Sequence, residues 1–232
     1  MNIQQGNVLL EQLPQDELEH LRPYLQLVSL EKNQVVYEQD APVTFFYFPL
    51  TAVVMFSVLT DDGVLTDVAF VDCGSMFPLS AVADTHCLLG VHVLMPGLAY
   101  RLPVEVFRQE FSQGQAFAKL VMRAVRNLLA QLSLGSVCFR RHSTRQILAK
   151  LLLIALQQRS QTDLDITHGQ LADTVGVRRE AITLTLRQFE DKGVLRCTRG
   201  KIHLMNRPAL EAMACSCYGM RTRLSMFQRL LV

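Results

Sequence analysis

Short apolar runs separated by turn signals dominate the first half of the chain. Between Val28 and Leu102 these runs are rich in Val, Phe, Tyr and Thr, and Asp61-Asp62-Gly63 and Pro96-Gly97 are among the turns that separate them. Many short strands at such intervals predict an all-β barrel or jelly roll. Leu9 to Leu25, with apolar residues at helical spacing and a proline interruption, predicts a short helical lead-in.

Helical spacing of the apolar residues returns after the last of these runs. Pro103 to Phe111 predicts a brief helix with proline at its first turn, about Gln115 to Ser136 a longer helix, and Thr144 to Arg159 a strongly apolar one. The apolar stripe of the longer helix is made of Phe117, Leu120, Val121, Ala124, Val125, Leu128 and Leu132. This stripe either packs on the β domain or pairs with a second copy of the chain, and some of its face can do both.

Two short helical patterns joined by a tight turn occupy Ile166 to Leu195. Their apolar faces are Leu171, Ala172 and Val175 in the first, and Ile182, Leu186 and Phe189 in the second. Gly176 supplies the permissive backbone of the turn. The small Ala172 stands four residues before this glycine, and the β-branched Ile182 six residues after it, so two helices can cross closely. This is the spacing of a helix-turn-helix, whose second helix enters the DNA major groove.

The exposed positions at the start of the second helix decide whether it can read DNA. Arg178, Arg179 and Glu180 come first, and Thr183 and Arg187 follow at later turns. Arg bonds bidentately to guanine, Glu accepts from the cytosine amino group, and Thr meets a thymine methyl. A solvated helix face with ordinary charges is the alternative interpretation. Together with the turn and the core spacing, however, these residues predict DNA recognition.

A hairpin pattern follows this helix at once. Val194 to Met205 contains two short β patterns around Arg199-Gly200, so the tip of the hairpin is basic. A helix-turn-helix followed by a basic hairpin is a winged helix, with the wing lying over phosphate. Arg207 to Met213 then begins a last helix, and the basic, amphipathic tail at Met220 to Leu231 is expected to cover core or dimer surface.

Thr167 to Leu210 resembles the C-terminal domain of Crp/Fnr-type transcription regulators. The matching parts are THGQLADTVGVRRE, the KGVL after the recognition helix, RGKIHLMNRPAL across the wing, and the ACSCY at Ala214 to Tyr218. The resemblance extends more weakly over the whole chain. It is strongest to a branch of the family that carries RRHS before this domain and CxCY near the end, here Arg140 to Ser143 and Cys215 to Tyr218.

The resemblance implies an α+β protein with three parts. These are an N-terminal cyclic-nucleotide-binding-type β-roll (jelly roll) with flanking helices at residues 1–114, a long dimerisation helix and hinge at 115–142, and a C-terminal winged helix-turn-helix at 143–232. The residues then expected to bind DNA are Thr167, Gln170, Arg178, Arg179, Glu180, Thr183, Arg187, Arg199 and Lys201. Because the long helix pairs with its twin in the family, the residues expected at the dimer interface are Phe117, Leu120, Val121, Ala124, Leu128 and Leu132.

Two features of the sequence are not explained by this family scheme: one residue of the recognition helix and the arginines of the hinge. Members of the family often have Arg one turn beyond the Arg-Glu pair of the recognition helix, whereas Leu184 occupies that position here. A third base contact is therefore in doubt. Gly135 to His142 is expected to be the hinge between the β-roll and the winged helix-turn-helix. Its Arg140 and Arg141 either approach DNA phosphate or pair with acidic residues of the β-roll domain.

Bulk properties of the 232 residues restrict the class of protein. Half of them are hydrophobic, no apolar run approaches the ~18 residues of a membrane span, and the N-terminus lacks the pattern of a signal peptide. Residues 1–136 contain 7 Lys and Arg and 14 Asp and Glu, a net charge of −7. Residues 137–232 contain 16 Lys and Arg and 7 Asp and Glu, a net charge of +9. A basic half favours a polyanion. We therefore expect a cytoplasmic protein that contacts DNA through its C-terminal half and has no membrane association.

The β-roll lacks the residues that recognise a cyclic nucleotide in the family. Such members use a Gly-Glu pair and, ten residues later, an Arg on the phosphate; here Phe77 and Cys87 fall near these positions. No Arg or Lys occurs between Lys32 and Arg101, so a phosphate would find almost no cation. An apolar effector pocket involving Phe77, Cys87, Leu88 and Leu89 would suit an apolar ligand, or none.

The six cysteines suggest neither a disulfide scaffold nor a cofactor. The first is Cys73, so the chain has no N-terminal cysteine group for an iron–sulfur cluster. His86, Cys87 and His92 are close enough in sequence to ligate a metal, but a structural role is the more common one for such residues. Cys215 and Cys217 are too close for a usual zinc pair, and the sequence offers no evident second pair. We therefore expect no metal and no cofactor.

The function expected from these observations is a homodimeric, sequence-specific transcription regulator. Its partners would be double-stranded DNA with a palindromic operator, a second copy of the chain, RNA polymerase as the resemblance implies, and an unidentified small-molecule effector or none. A protein-interaction or assembly module that uses its winged helix on protein is the alternative. An enzyme is least expected, because the sequence has no phosphate-binding glycine loop, nucleophile elbow or metal carboxylate set.

Overall fold

The computed structural model describes residues 6–157 and 162–220 of the chain. Seven α-helices and ten β-strands lie wholly within these ranges, in the order expected for an α+β protein with an N-terminal β domain, and a further helical segment begins at Cys217. The chain divides into two compact units, and the boundary falls between Ala130 and Gln131. The expected tail at Met220 to Leu231 lies, apart from its first residue, outside the described residues.

The first unit is built on two antiparallel sheets. Its strands are β1 (Gln26–Leu30), β2 (Val35–Tyr37), β3 (Phe45–Pro49), β4 (Val53–Leu59), β5 (Leu65–Val71), β6 (Gly90–Met95) and β7 (Gly97–Pro103). One sheet has the order β1-β7-β3 and the other β2-β6-β4-β5. The interleaved order, in which β6 and β7 return between earlier strands, is that of the β-roll expected from the short apolar runs.

Helices cover the roll at both of its chain ends. The lead-in contains α1 (Gln15–Leu21) between two single turns of 3-10 helix, and Leu9, Leu10 and Leu21 within it are fully buried. After the last strand, α2 (Val104–Ser112) places Phe107 in the core, where its ring stacks on that of Phe46 with 3.6 Å between centroids. Burial of these large apolar side chains is the main favourable term holding the helices to the sheets.

The long helix α3 (Ala116–Arg141) extends five residues beyond its expected end. Its first backbone amides, of Ala116 and Phe117, donate to the carboxylate of Glu17 in α1 at 3.0 and 2.9 Å. An acidic group at this end satisfies free amides and interacts favourably with the helix dipole. Helical structure also runs through most of the expected hinge at Gly135 to His142, so a break in the helix occurs only at His142 and Ser143.

The apolar stripe of α3 is divided between two environments. Phe117, Leu120, Val121 and Ala124 are at most 3% exposed within the protomer, and the Phe117 ring meets that of Phe107 edge-on with 5.3 Å between centroids. These four residues therefore pack against their own β domain and leave no surface for a second chain, which corrects their assignment to a dimer interface. The other two assigned residues, Leu128 and Leu132, are half-buried.

The second unit contains four helices after α3 and a small sheet. The helices are α4 (Thr144–Gln157), α5 (His168–Val175), α6 (Arg179–Asp191) and α7 (Arg207–Met213), and the strands are β8 (Asp163–Asp165), β9 (Leu195–Thr198) and β10 (Lys201–Leu204). The strongly apolar helix α4 packs against α5, α6 and α7. Its last expected residues, Gln158 and Arg159, lie outside the described residues.

A short strand that the sequence pattern did not predict lies between α4 and α5. Strand β8 pairs with β10, which gives the sheet the order β8-β10-β9. The strand has only three residues, and Leu164 alone is buried. Because one buried residue cannot show an alternation of apolar and polar positions, the sequence did not indicate a strand here. Among the helices of the described ranges, none combines the length and apolar character that a membrane crossing requires.

Candidate nucleic-acid interface

The first helix of the helix-turn-helix begins at a reciprocal cap. The Thr167 hydroxyl accepts from the Gln170 amide nitrogen at 3.2 Å, and the Gln170 side chain accepts from the Thr167 amide nitrogen at 3.0 Å. This capping box satisfies two amides that the helix itself leaves free. The structure thus uses both side chains, which were expected to contact DNA, to fix where α5 starts.

Loss of this cap is expected to destabilise the second unit. In Thr167→Ala, the Gln170 amide loses its acceptor, and the free energy of unfolding should fall by about 1 kcal/mol. Thr167→Ser keeps the hydroxyl and should retain most of the stability. Urea unfolding followed by circular dichroism measures both variants, and equal loss in the Ala and Ser variants would contradict a capping role.

The turn between α5 and α6 depends on Gly176. This residue has φ +70 and ψ 38, the left-handed region that glycine adopts without the steric cost of a side chain. The Val177 amide donates to the Ala172 carbonyl at 3.1 Å and the Gly176 amide to the Asp173 carbonyl at 3.3 Å. This is the Schellman pattern of helix termination, and it directs the chain into α6.

The core faces of the two helices agree with the expected spacing. All six apolar residues named for them are at most 4% exposed, namely Leu171, Ala172, Val175, Ile182, Leu186 and Phe189. Burial of this face leaves the opposite face of α6 outward. Because the two helices share one core across a tight turn, the position of α6 is fixed by packing rather than by the charged residues that it exposes.

The outward face of α6 presents the residues expected to read DNA. Arg178 is the residue before the first turn, Arg179 and Glu180 begin the helix, and all three are exposed together with Arg187. None of the three arginines takes part in an ion pair within residues 6–157 and 162–220. The guanidinium donors at this end of the helix are therefore available to base edges or phosphate.

Two further residues of α6, Thr183 and Leu184, are uncharged. The Thr183 hydroxyl donates to the Arg179 carbonyl at 3.0 Å and lies 3.0 Å from His168 Nδ1, so this hydroxyl already has partners in α5 and α6. Leu184, at the position where the resemblance led us to expect Arg, is 60% exposed on the same helix. An apolar side chain at that position suits contact with a thymine methyl.

The wing is a tight hairpin tied across three strands. Arg199 and Lys201 are exposed on either side of Gly200, whose φ of +76 forms the turn. Behind the tip, His203 Nδ1 lies 2.9 Å from Asp163 Oδ1, and His203 Nε2 lies 3.2 Å from the Thr198 hydroxyl. The hydrogen bond with His203 lowers the pKa of Asp163. One imidazole thus joins β8, β10 and β9 and supports the basic tip.

The residues expected around an effector differ in their exposure to solvent. Phe77 is fully buried and its ring stacks on Tyr47 with 4.9 Å between centroids. Cys87 is also fully buried, its thiol donates to the Leu89 carbonyl at 2.8 Å, and burial raises the pKa of this thiol. Leu88 is 65% exposed. Phe77 and Cys87 are therefore packed core residues, and Leu88 belongs to the surface.

Cations near the roll are engaged elsewhere. The Arg101 guanidinium lies 4.2 Å from the centroid of the Phe45 ring, and its Nε donates to Gln26 at 2.9 Å. Arg108 donates to the Asp84 carbonyl at 3.1 Å. Their partners are protein groups, and the strands from β2 to β6 contribute no Lys or Arg, as the sequence indicated.

Sequence reasoning missed a group of ligating side chains in the second unit. Cys138, His142, Cys215 and Cys217 lie together, so the second pair that the spacing argument did not find is on α3 and the residue after it. Burial raises the pKa of Cys215 to about 12 and also raises that of Cys217. Residues 138 and 142 stand one helical turn apart, and this i, i+4 spacing was the available signal.

Comparison with known proteins agrees with this architecture. Residues 146–213 match the Crp-like helix-turn-helix domain. The fold is similar to FixK2 from Bradyrhizobium japonicum, with a TM-score of 0.72, 18% identity, and coverage of 83% of this chain and 98% of that one. The fold is also similar to a CRP family transcriptional regulator from Thermus thermophilus, with a TM-score of 0.69 and 16% identity. That match covers 81% of this chain and 96% of the other. No match was found among curated proteins.

A third solved structure is the regulator CLP of Xanthomonas campestris, described as responsive to c-di-GMP. It gives a TM-score of 0.66 at 12% identity and covers 82% of this chain and 99% of that one. This chain likewise combines a β-roll, a long helix and a winged helix-turn-helix in two compact units. Residues 146–213 thus match a Crp-like helix-turn-helix domain, and the chain shares the fold of solved regulators of the Crp/Fnr family.

Proposed function

We propose that the chain acts as a homodimeric regulator that reads a palindromic operator through α6. The observation that carries this proposal is the exposed Arg178, Arg179 and Glu180 at the first turn of a helix whose other face is fully buried. Arg179 and Glu180 read base edges, and Arg178 and Arg187 reach bases or phosphate. Arg199 and Lys201 on the wing hold the backbone, which adds affinity without sequence preference.

The dimer is proposed to form along α3, through a stripe that overlaps the one first expected at Val125 and Leu132. Apolar residues recur at steps of three, four and three and then, past Ser136, at a step of seven, which fits the heptad spacing of a coiled-coil seam. The seam residues are Met122, Val125, Leu129, Leu132 and Phe139. Met122, Leu129 and Phe139 are 54%, 66% and 51% exposed in the protomer. A second copy of α3 would cover these side chains and place two recognition helices on successive major grooves.

The proposed regulator does not depend on a cyclic nucleotide. Phe77 and Cys87, near the positions of the family's phosphate-binding residues, are buried core side chains that carry no positive charge. The protein either binds DNA without an effector or responds to a ligand without phosphate. A DNA-binding role and contact with RNA polymerase, as in the family, would place it in the cytoplasm.

Selection from random duplexes tests the DNA-binding proposal. Purified protein without added ligand is expected to enrich a palindromic consensus, and binding should weaken steeply as salt rises because phosphate contacts release counterions. The selection is run at two salt concentrations. Weak, salt-sensitive binding without enrichment would indicate that an effector is missing. Binding that is absent at both salt concentrations would favour the alternative, a winged helix that contacts protein.

Removal of one base-reading side chain should change specificity as well as affinity. Arg179→Ala is expected to weaken binding to the selected site by about 1–3 kcal/mol and to relax preference at one base pair in each half-site. Arg22→Ala, which removes the same charge from an exposed position in the first unit, is the matched control and should leave both unchanged. An unchanged consensus after repeated selection with Arg179→Ala would contradict the assignment.

A further inference from the structure

Three cysteines and one histidine converge in the second unit and are called here the Cys3His cluster. Its members are Cys138, His142, Cys215 and Cys217, and their ligating atoms all lie within 4.8 Å of one another. The Sγ atoms of Cys138 and Cys215 are 3.3 Å apart, and Cys217 Sγ is 3.5 Å from His142 Nε2. The recognition helix and the wing contain none of these residues.

Local backbone structure brings the four side chains to one place. Cys138 lies in the last turns of α3, and the His142 amide still donates to the Cys138 carbonyl at 3.0 Å, so the two side chains share a helix face. Cys215 and Cys217 lie just beyond α7, where the Tyr218 amide donates to the Cys215 carbonyl at 3.0 Å. Two segments distant in sequence thus contribute one pair of ligands each.

The surroundings of the cluster suit a bound cation with thiolate ligands. The three thiols are at most 3% exposed, and His142 is half-buried at the edge. Lys150 of α4 places Nζ 3.1 Å from Cys138 Sγ. Three thiolates and one divalent cation leave a net charge of −1, and the Lys150 ammonium offsets it. Buried charges are tolerated in proteins when they are paired or coordinate a metal.

We propose that the Cys3His cluster is a structural zinc site. Cys3His is one of the ligand sets of closed tetrahedral zinc sites, with Zn–S distances near 2.3 Å and Zn–N distances near 2.0–2.1 Å. Tetrahedral geometry at those lengths separates two sulfur atoms by roughly 3.8 Å, close to the distances between these side chains. An iron–sulfur cluster places several iron and sulfide ions between its ligands and needs more space than this.

The zinc ion joins the C-terminal end of α3 to the chain after α7. Each cysteine loses its thiol proton on binding, so three protons leave as one Zn²⁺ enters, and neutral His142 donates a ring nitrogen lone pair. Nothing is oxidised or reduced. The ion would fix the end of α3 against the winged helix-turn-helix, with four ligands and no open position for substrate. Its role is therefore stabilisation of this unit rather than catalysis.

Metal analysis of the full chain tests the site directly. Protein purified by gel filtration is expected to carry about one zinc per chain by elemental mass spectrometry, as a single closed site requires. Cys215→Ser and His142→Ala should each reduce the zinc content to near zero. Cys197→Ser alters a half-buried thiol of the same unit outside the cluster and should keep the full content. Full zinc content in both cluster variants would overturn the proposal.

Measurements on the unmodified chain keep the test valid if cluster variants fail to fold. After removal of metal under reducing conditions, added Co²⁺ is expected to give the intense ligand-field bands of a tetrahedral site and a thiolate-to-cobalt charge-transfer band. Zinc should protect Cys138, Cys215 and Cys217 from alkylation, and a chelator should expose them. A spectrum of hydrated Co²⁺ only, or a Cys138–Cys215 disulfide in protein that takes up no metal after reduction, would overturn the proposal.

The zinc proposal and the operator proposal can fail separately. Zinc content, cobalt spectrum and thiol protection require no DNA, so a chain that holds zinc but enriches no operator would keep the first and lose the second. A chain that enriches an operator but holds no metal would support the operator proposal and contradict the zinc proposal. The change in thermal midpoint on chelation, expected to be a decrease, measures how much the ion stabilises the second unit.

Discussion

Phe189→Ala is expected to lower the free energy of unfolding of the second unit by about 3–5 kcal/mol. Phe189 is fully buried in α6, which packs against α4, α5 and β9, so the truncated side chain would leave a cavity among several elements. Native proteins are stable by only about 5–15 kcal/mol, so this loss is a large part of the total. Urea unfolding followed by circular dichroism measures it.

The matched control for this substitution lies on the same helix. Leu184→Ala removes a side chain that is 60% exposed, so the free energy of unfolding should change by no more than about 0.5 kcal/mol. The two variants are also expected to differ in DNA binding: Phe189→Ala weakens it because the second unit is less stable, whereas Leu184→Ala changes base preference alone. Equal destabilisation by both would mean that α6 is not packed as described.

Leu129→Glu is expected to convert the proposed dimer into monomers at micromolar concentration and to abolish binding to the full palindrome. Leu129 is 66% exposed in the protomer, so the protomer itself should tolerate a carboxylate there. In the dimer, the two carboxylates would meet across a seam of apolar residues without partners, and an unpaired buried charge is strongly unfavourable. Because a single recognition helix contacts only one half-site, affinity should fall toward the non-specific level, typically 10³-fold or more.

Sedimentation analysis and titration of the selected operator measure this outcome. Arg123→Glu introduces the same residue at an exposed position on another face of α3 and should leave the oligomeric state unchanged. If Leu129→Glu remained a dimer with full operator affinity, the seam along α3 would be rejected and the interface would have to be sought elsewhere. Dissociation by both variants would point to a general effect of negative charge on the helix.

Local sequence patterns predicted the winged helix-turn-helix well, because the residues that define it lie close together in the sequence. The αL glycine at Gly176, the small Ala172 and the buried Ile182 lie within about three turns of helix, and each agrees with the core found in the structure. The hairpin around Gly200 is equally local. The β-roll followed from runs of strand-forming residues between turns, although the strand order depends on pairings that no single run contains.

Features that depend on distant contacts could not be predicted in the same way. The stripe from Phe117 to Ala124 is amphipathic whether it packs on its own β domain or on a second chain, and only the position of Phe107 in the core distinguishes the two. The Cys3His cluster requires α3 and the chain after α7 to meet, and 77 residues separate Cys138 from Cys215. Neither fact is encoded in the spacing of neighbouring residues.

The exposed Leu184 has a consequence for an operator whose bases are chemically modified, if α6 reads DNA as proposed. A charged side chain at this position would select a base by hydrogen bonding, whereas an exposed leucine recognises a methyl group in the major groove. Thymine carries that methyl group at C5, and 5-methylcytosine carries one at the same place. A regulator that reads its operator partly through Leu184 would therefore bind differently before and after cytosine methylation, and replacement of thymine by uracil would remove the same contact.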